Sequence, residues 1–251
     1  MMRRGWWLVV VAVIAFMGCS KTGSMDSNTL LGSGMNLVKA ATLTDAEVKS
    51  LADAACAESD RLNTVAPAKN KYSVRLAGIM KKFGPSIDGT PIDAKVYLVR
   101  DVNAFAMANG CVRVFAGLMD LMNDDEVRGV VGHEMGHVAL GHTKKAMQTA
   151  YTAAAARGVA ASGTGVVAQL SQSQLGELTE ALVNAQFSQT QELAADDYSF
   201  DLLTKLKLKR EGLVTAFQKL AKLDNGASSM LSSHPSSPDR AKRIEDRIKN
   251  G

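Results

Sequence analysis

The chain has 251 residues, 46% of them hydrophobic and 22% charged, with a formal net charge of +4. That is enough apolar material for a full core in one domain, and it excludes a disordered or low-complexity chain. The excess positive charge is small and dispersed, which argues against a nucleic-acid partner. The basic run from Arg240 to Lys249 is interrupted by Glu245 and Asp246 and reads as a solvated helix.

Met1-Met2-Arg3-Arg4 is a positive start, Trp6 to Met17 an unbroken apolar run, and Gly18-Cys19 leads into polar Ser20-Lys21-Thr22-Gly23. The run is shorter than the roughly 20 residues of a membrane span. Residues 1–18 therefore read as an export signal. A cysteine after a small residue at the end of such a run resembles the lipobox of bacterial lipoproteins. That resemblance implies cleavage before Cys19, acylation at Cys19 and attachment to a membrane through an N-terminal lipid. Phe16-Met17-Gly18-Cys19 lacks the usual Leu and carries Met where Ala or Ser is typical. A plain secretory signal with an incidental cysteine is the alternative. Ser20, where Asp would favour inner-membrane retention, points by the same resemblance to the outer membrane, facing the periplasm. With Cys19 set aside, Cys56 and Cys111 form an even pair in an exported chain. A disulfide is expected there, with two separate buried thiols as the alternative.

Residues 19–40, rich in Ser, Gly and Asn, read as a flexible tether, and 41–251 as one domain. A helix opens near Thr44-Asp45, either of which can cap it, and carries Cys56. Tyr72 to Met80 repeats apolar residues at helical spacing and stops at Gly84-Pro85. Ala94 to Arg100 alternates as a strand. Ala104-Phe105-Ala106-Met107 and Val112-Arg113-Val114-Phe115 flank Asn109-Gly110, a strong hairpin signal. Gly117 to Met122 is a short helix, and Asp124-Asp125-Glu126 opens the next, acidic residues suiting its N-terminus. Residues 150–170 are rich in Ala and Gly. Arg157 and the small side chains make them a poor membrane span, Gly163-x-Gly165 lacks the strand that a dinucleotide loop needs, and a mobile crossover is expected. Helical periodicity runs from about Leu175 through Leu206 and again from Gly212 to Leu223. A polar loop from Asp224 to Pro238 precedes the last helix.

Three of the four histidines fall between residues 133 and 142. On a helix, His133 and His137 share a face and can supply two of the positions around one Zn²⁺. Glu134 lies beside them, where a carboxylate can take a proton from a water activated by the metal. A packing role is the bland alternative, but buried histidines beside a buried glutamate need partners, and a metal supplies them. A catalytic site wants a third protein ligand. His142 lies nine residues beyond His133, about half a turn round a continuous helix, so a second-sphere or structural role suits it better. Glu192 and Asp196, four apart, offer a carboxylate ligand and an acceptor for a histidine ring N–H. Spacing alone would equally allow a solvated helix face.

These motifs together resemble the HtpX/Oma/BepA group of gluzincin metallopeptidases, which pair His-Glu-x-x-His with a downstream Glu-x-x-Ala-Asp. The chain carries them as His133-Glu134-Met135-Gly136-His137 and Glu192-Leu193-Ala194-Ala195-Asp196. Asn103-Ala104-Phe105-Ala106 is similar to the group's substrate-binding edge strand, and His234-Pro235 with Arg240 to its C-terminal element. Ala108-Asn109 departs from the Gly-Gly that follows the edge strand in many relatives. The resemblance implies an α+β, mainly α-helical, zincin-like fold with a small sheet whose edge strand flanks the active-site helix. It implies one Zn²⁺ per chain on His133, His137 and Glu192, with Glu134 as base and Asp196 and Arg240 around the ligands. His234 would stabilise the oxyanion or occupy the zinc, or have no role. Extended or misfolded envelope polypeptides are the expected substrates. Two competing classes remain. One is a periplasmic chaperone or outer-membrane assembly factor with a latent zinc site, whose partners would be outer-membrane assembly proteins. The other is a structural zinc protein, which would unfold on chelation; a chain this long has core enough to keep its fold.

Overall fold

The computed structural model describes residues 43–156, 165–168, 170–223, 229–234 and 238–250. The expected export signal (1–18), Cys19, the expected tether (19–40), residues 157–164 of the expected crossover and Pro235 lie outside them. Among the described residues no helix is long and apolar enough to cross a membrane.

Helix α1 (Asp45–Leu62) starts at Thr44, whose hydroxyl accepts from Glu47 N–H while the Glu47 carboxylate accepts from Thr44 N–H. Two otherwise unpaired donors are thereby satisfied. Helix α2 (Lys71–Met80) is capped by Asn70. The short hairpin β1 (Ser86–Ile87) and β2 (Thr90–Pro91) follows, unanticipated by the sequence pattern, and then strand β3 (Asp93–Tyr97). The expected strand to Arg100 is cut short because Leu98 N–H leaves the sheet for Thr64 C=O. Strands β4 (Ala104–Ala106) and β5 (Cys111–Phe115) form the hairpin over Asn109-Gly110. Gly110 has φ of 84°, and a Cβ there would fall 2.0 Å from the Pro91 carbonyl oxygen, so only glycine fits.

The sheet order is β3-β5-β4, with β3 parallel and β4 antiparallel to β5, so β4 is an edge. Both faces are covered, so the apolar residues of β4 and β5 are divided between two cores. Val96, Ala104, Ala106, Val112 and Val114 join one core; Tyr97, Phe105, Cys111 and Phe115 join the other. The first core lies between the sheet and helices α4 (Asp124–Ala139), α7 (Gln189–Lys205), α8 (Glu211–Leu220) and α10 (Pro238–Asn250). The second is covered by α1, α5 (His142–Ala156) and α6 (Gln172–Val183). Helix α3 (Ala116–Leu121) continues β5, and the short α9 (Ser229–Ser233) interrupts the expected polar loop.

Two sequence readings change here. The single helical stretch from Leu175 to Leu206 is two helices, because Asn184 caps the end of α6 and Ser188 with Gln191 builds a capping box for α7. Side-chain caps outcompete a continuous helix at such residues. The last helix is not simply solvated: Arg240, Ala241 and Ile244 are buried.

Arg113, on the central strand, is fully buried and ties the sheet to α1. Its Nε donates to Asp60 Oδ1 (2.7 Å), and its Nη2 to Asp60 Oδ2 (3.0 Å) and Asp93 Oδ2 (2.9 Å). The Cys56–Cys111 disulfide joins the same two elements. Burial pushes Asp60 up, but hydrogen bonds from Arg113, Lys95 and Tyr97 outweigh it and hold its carboxyl down to about 2. A depressed carboxyl stabilises the fold above its unfolded pKa of about 3.9, and that stability goes as pH falls through the folded value. Asp60→Asn is expected to cost about 2 kcal/mol at neutral pH in denaturant melts. That is below the range for a fully buried pair, because Asp60 itself is partly exposed. The gap to the parent should narrow between about pH 4 and 2; a gap independent of pH there would remove Asp60 as the titrating group.

Candidate metal centre

Helix α4 begins at a capping box of Asn123 and Glu126 and carries His133, Glu134 and His137 into the protein interior, each at most 2% exposed. It can lie against α7 because both helices are small at the contact. A Cβ on Gly136 would stand 3.0 Å from the Cα and carbonyl oxygen of Ala195, and one on Gly132 would stand 2.6 Å from Ser199 Oγ. Ser199 in turn donates to the Gly129 carbonyl at 3.0 Å. The sequence pattern singles out neither Gly132 nor Gly136.

This approach brings Glu192 to the histidines, and the residue after α9, His234, closes the group. His133 Nε2 lies 3.1 Å from His137 Nε2 and 3.3 Å from His234 Nδ1. Glu192 Oε1 lies 3.2 Å from His137 Nε2 and 3.0 Å from His234 Nδ1. Zinc bonds of about 2.0–2.1 Å in a tetrahedron separate the donors by about 3.3 Å. All four residues are buried, and their donor atoms lie within 4.8 Å of one another. Lone pairs packed this closely repel unless a cation lies between them, so the donor set fits Zn²⁺ on both spacing and chemistry.

The surroundings fix these donors. His133 Nδ1 meets Asp196 Oδ1 at 2.8 Å, which leaves Nε2 to face inward. Arg240 forks onto Asp196 (Nε to Oδ2 2.8 Å, Nη2 to Oδ1 2.6 Å) and places Nη1 2.6 Å from Glu192 Oε2. Its guanidinium lies 4.4 Å over the Phe217 ring. Burial would raise Asp196, but Arg240 and His133 hold its carboxyl below the usual range. Burial lowers His133, yet Asp196 and Glu192 lift it to about 9. Burial dominates at His137 and takes it down to about 2.

Glu134 is raised, chiefly by burial. Its Oε1 has no hydrogen bond among the described residues and lies 3.6 Å from His234 Nε2. Edge strand β4 passes beside it, and the main chain of Ala106 helps to hold the carboxylate. Asn103, also buried, uses its side chain to accept from Ala104 N–H.

His142 stays out of the four-donor group, though for a different reason from the half-turn argument. Helix α4 ends at Ala139, Gly141 turns the chain with φ of 73°, and His142 opens α5 with Nδ1 3.0 Å from His137 Nδ1. Phe187, which no sequence signal singled out, stacks on His137 with centroids 3.9 Å apart. An apolar residue just before an N-cap often packs on the fourth helical residue. Here that residue is Glu192, and Phe187 turns to the imidazole instead.

Gly136→Ala is expected to push α4 and α7 apart and weaken zinc binding about tenfold or more, with the far-ultraviolet circular dichroism retained. Competition against a chromogenic chelator measures it. Unchanged affinity would show that Glu192 does not depend on this contact.

The sequence pattern of Peptidase family M48 matches residues 77–248, which contain every residue of this centre. The chain is 54% identical to Metalloprotease LoiP of Escherichia coli strain K12, across 96% of its own length and 95% of that protein's. It is 52% identical to Metalloprotease YcaL of the same strain, across 93% and 92%. Protease HtpX of Haemophilus ducreyi is 45% identical over a shorter segment, 21% of the chain and 20% of the relative. With the family pattern spanning both halves of the zinc motif, and two full-length relatives above half identity, the chain belongs to peptidase family M48, the zinc-dependent metalloproteases.

Proposed function

We propose that this metalloprotease is an endopeptidase of the periplasm, anchored to the outer membrane by a lipid on Cys19, that cuts extended or misfolded envelope proteins. The observation that carries the substrate class is β4 at the edge of the sheet, paired with β5 on one side and with no second strand among the described residues. Asn103 C=O accepts from Phe115 N–H, and Met107 N–H donates to Cys111 C=O. The alternation of a strand then turns the main chain of Ala104 and Ala106 away from the sheet, beside Glu134. A peptide added there would be recognised through its backbone, which suits unfolded segments of varied sequence.

His133, His137 and Glu192 are the proposed zinc ligands, with Asp196 and Arg240 orienting them. Bound zinc supplies Lewis acidity and lowers the pKa of a water molecule to about 7. Glu134, buried and without a hydrogen-bond partner at Oε1 among the described residues, takes the proton from the attacking water and returns it to the leaving amine. His234 Nδ1 stands at the fourth corner of the donor set, which supports a latent state over an oxyanion role in this conformation. The cavity between β4, Glu134 and Phe187 supports the same reading, since only about 20 Å³ of it is open to a water-sized sphere. Displacement of His234 would open both.

This latency also keeps a second reading in view, a chaperone or assembly factor that works with outer-membrane assembly proteins through a plugged zinc site. Casein cleavage separates the two. Glu134→Gln should lose at least about a hundredfold in rate while still binding zinc, and His234→Ala should gain rate. Equal rates for parent and Glu134→Gln would defeat the peptidase reading. Cys19→Ser should abolish incorporation of labelled palmitate and move the chain out of the membrane fraction; persistence there would defeat the anchor.

A further inference from the structure

We propose that His142 is the positioning residue for His137: it accepts the Nδ1–H of that ring and so fixes the tautomer whose Nε2 faces the donor set. The inference rests on the zinc reading above. A nitrogen that ligates a metal must offer a lone pair, so a neutral His137 carries its proton on Nδ1. His133 settles the same question with the Asp196 carboxylate, 2.8 Å from its Nδ1. For His137 the partner at Nδ1 is another imidazole, His142 Nδ1 at 3.0 Å. One of these two nitrogens donates and the other accepts, and the demand at His137 Nε2 decides which. His142 is therefore the acceptor, with its own proton on Nε2.

The fold holds this pair in place. The turn at Gly141 sets His142 at the first residue of α5, five residues after His137. Phe187 stacks at 24° to the His137 ring plane and lies 6.3 Å from His142. The His137 ring is thus fixed at both nitrogens and on one face. The two ligating histidines differ in basicity, because a neutral acceptor pulls less on the ring proton than a carboxylate does.

Replacements at His142 test this in the full-length chain. Asn places its Oδ1 at the same distance from Cβ as the imidazole Nδ1, Gln reaches one bond further, and Phe keeps the ring without an acceptor. Zinc affinity from chelator competition should fall by about ten- to a hundredfold in His142→Phe and His142→Gln. It should recover in His142→Asn. Nitrogen-15 spectra of the ring, in a chain with only four histidines, should show His137 protonated at Nδ1 in the parent and in His142→Asn, and mixed in His142→Phe. Parental affinity and an unchanged His137 tautomer in His142→Phe would overturn the proposal. A parent that binds no zinc would instead overturn the metal reading itself.

Discussion

Glu192 reaches the histidines of α4 only because Gly132 and Gly136 let α7 lie against the helix backbone. A side chain at either position would meet Ser199 or the Ala195 main chain, and the carboxylate would move out of reach of both imidazoles. The same contact sets Asp196 against His133, since Glu192 and Asp196 are one turn apart on α7. The ligands and their support are thus one packing event, and the apolar core around α4 makes it rigid.

Charge within this contact is balanced locally. Two carboxylates, Glu192 and Asp196, face inward from α7, and buried Arg240 from α10 answers them while resting on Phe217. A buried charge left unpaired is costly, and a bidentate guanidinium is well shaped to pair two acids on one helix face. The sheet side is built on the same principle: Arg113 serves Asp60 and Asp93 between β5 and α1.

Much of the centre was legible in the sequence, because His133, Glu134 and His137 lie within one helical turn and Glu192 and Asp196 within another. Local periodicity is enough to align each group. The hairpin at Asn109-Gly110 was legible for the same reason, its turn chemistry being local. What the sequence did not disclose depended on contacts between distant segments. Nothing near Phe187 marks it as a ring partner, and nothing near Arg113 marks it as the buried partner of Asp60 on α1. His142 was set aside by assuming a helix that continues past Ala139. Gly141, a common helix terminator, was the signal that could have corrected this. The break between α6 and α7 was marked by Ser188 and Gln191, a capping pair hidden within a long amphipathic pattern.

The donors of this centre come from widely separated parts of the chain, His133 and His234 being 101 positions apart. An unfolded chain keeps only the His133–His137 pair, a weak chelate, and must close long loops before the other donors arrive. Tight metal binding therefore selects molecules whose two cores have already formed. Those cores meet at the sheet, and the Cys56–Cys111 bridge lies within the second of them. Zinc affinity and folding are thereby linked, and cutting power is confined to copies that have assembled the whole donor set.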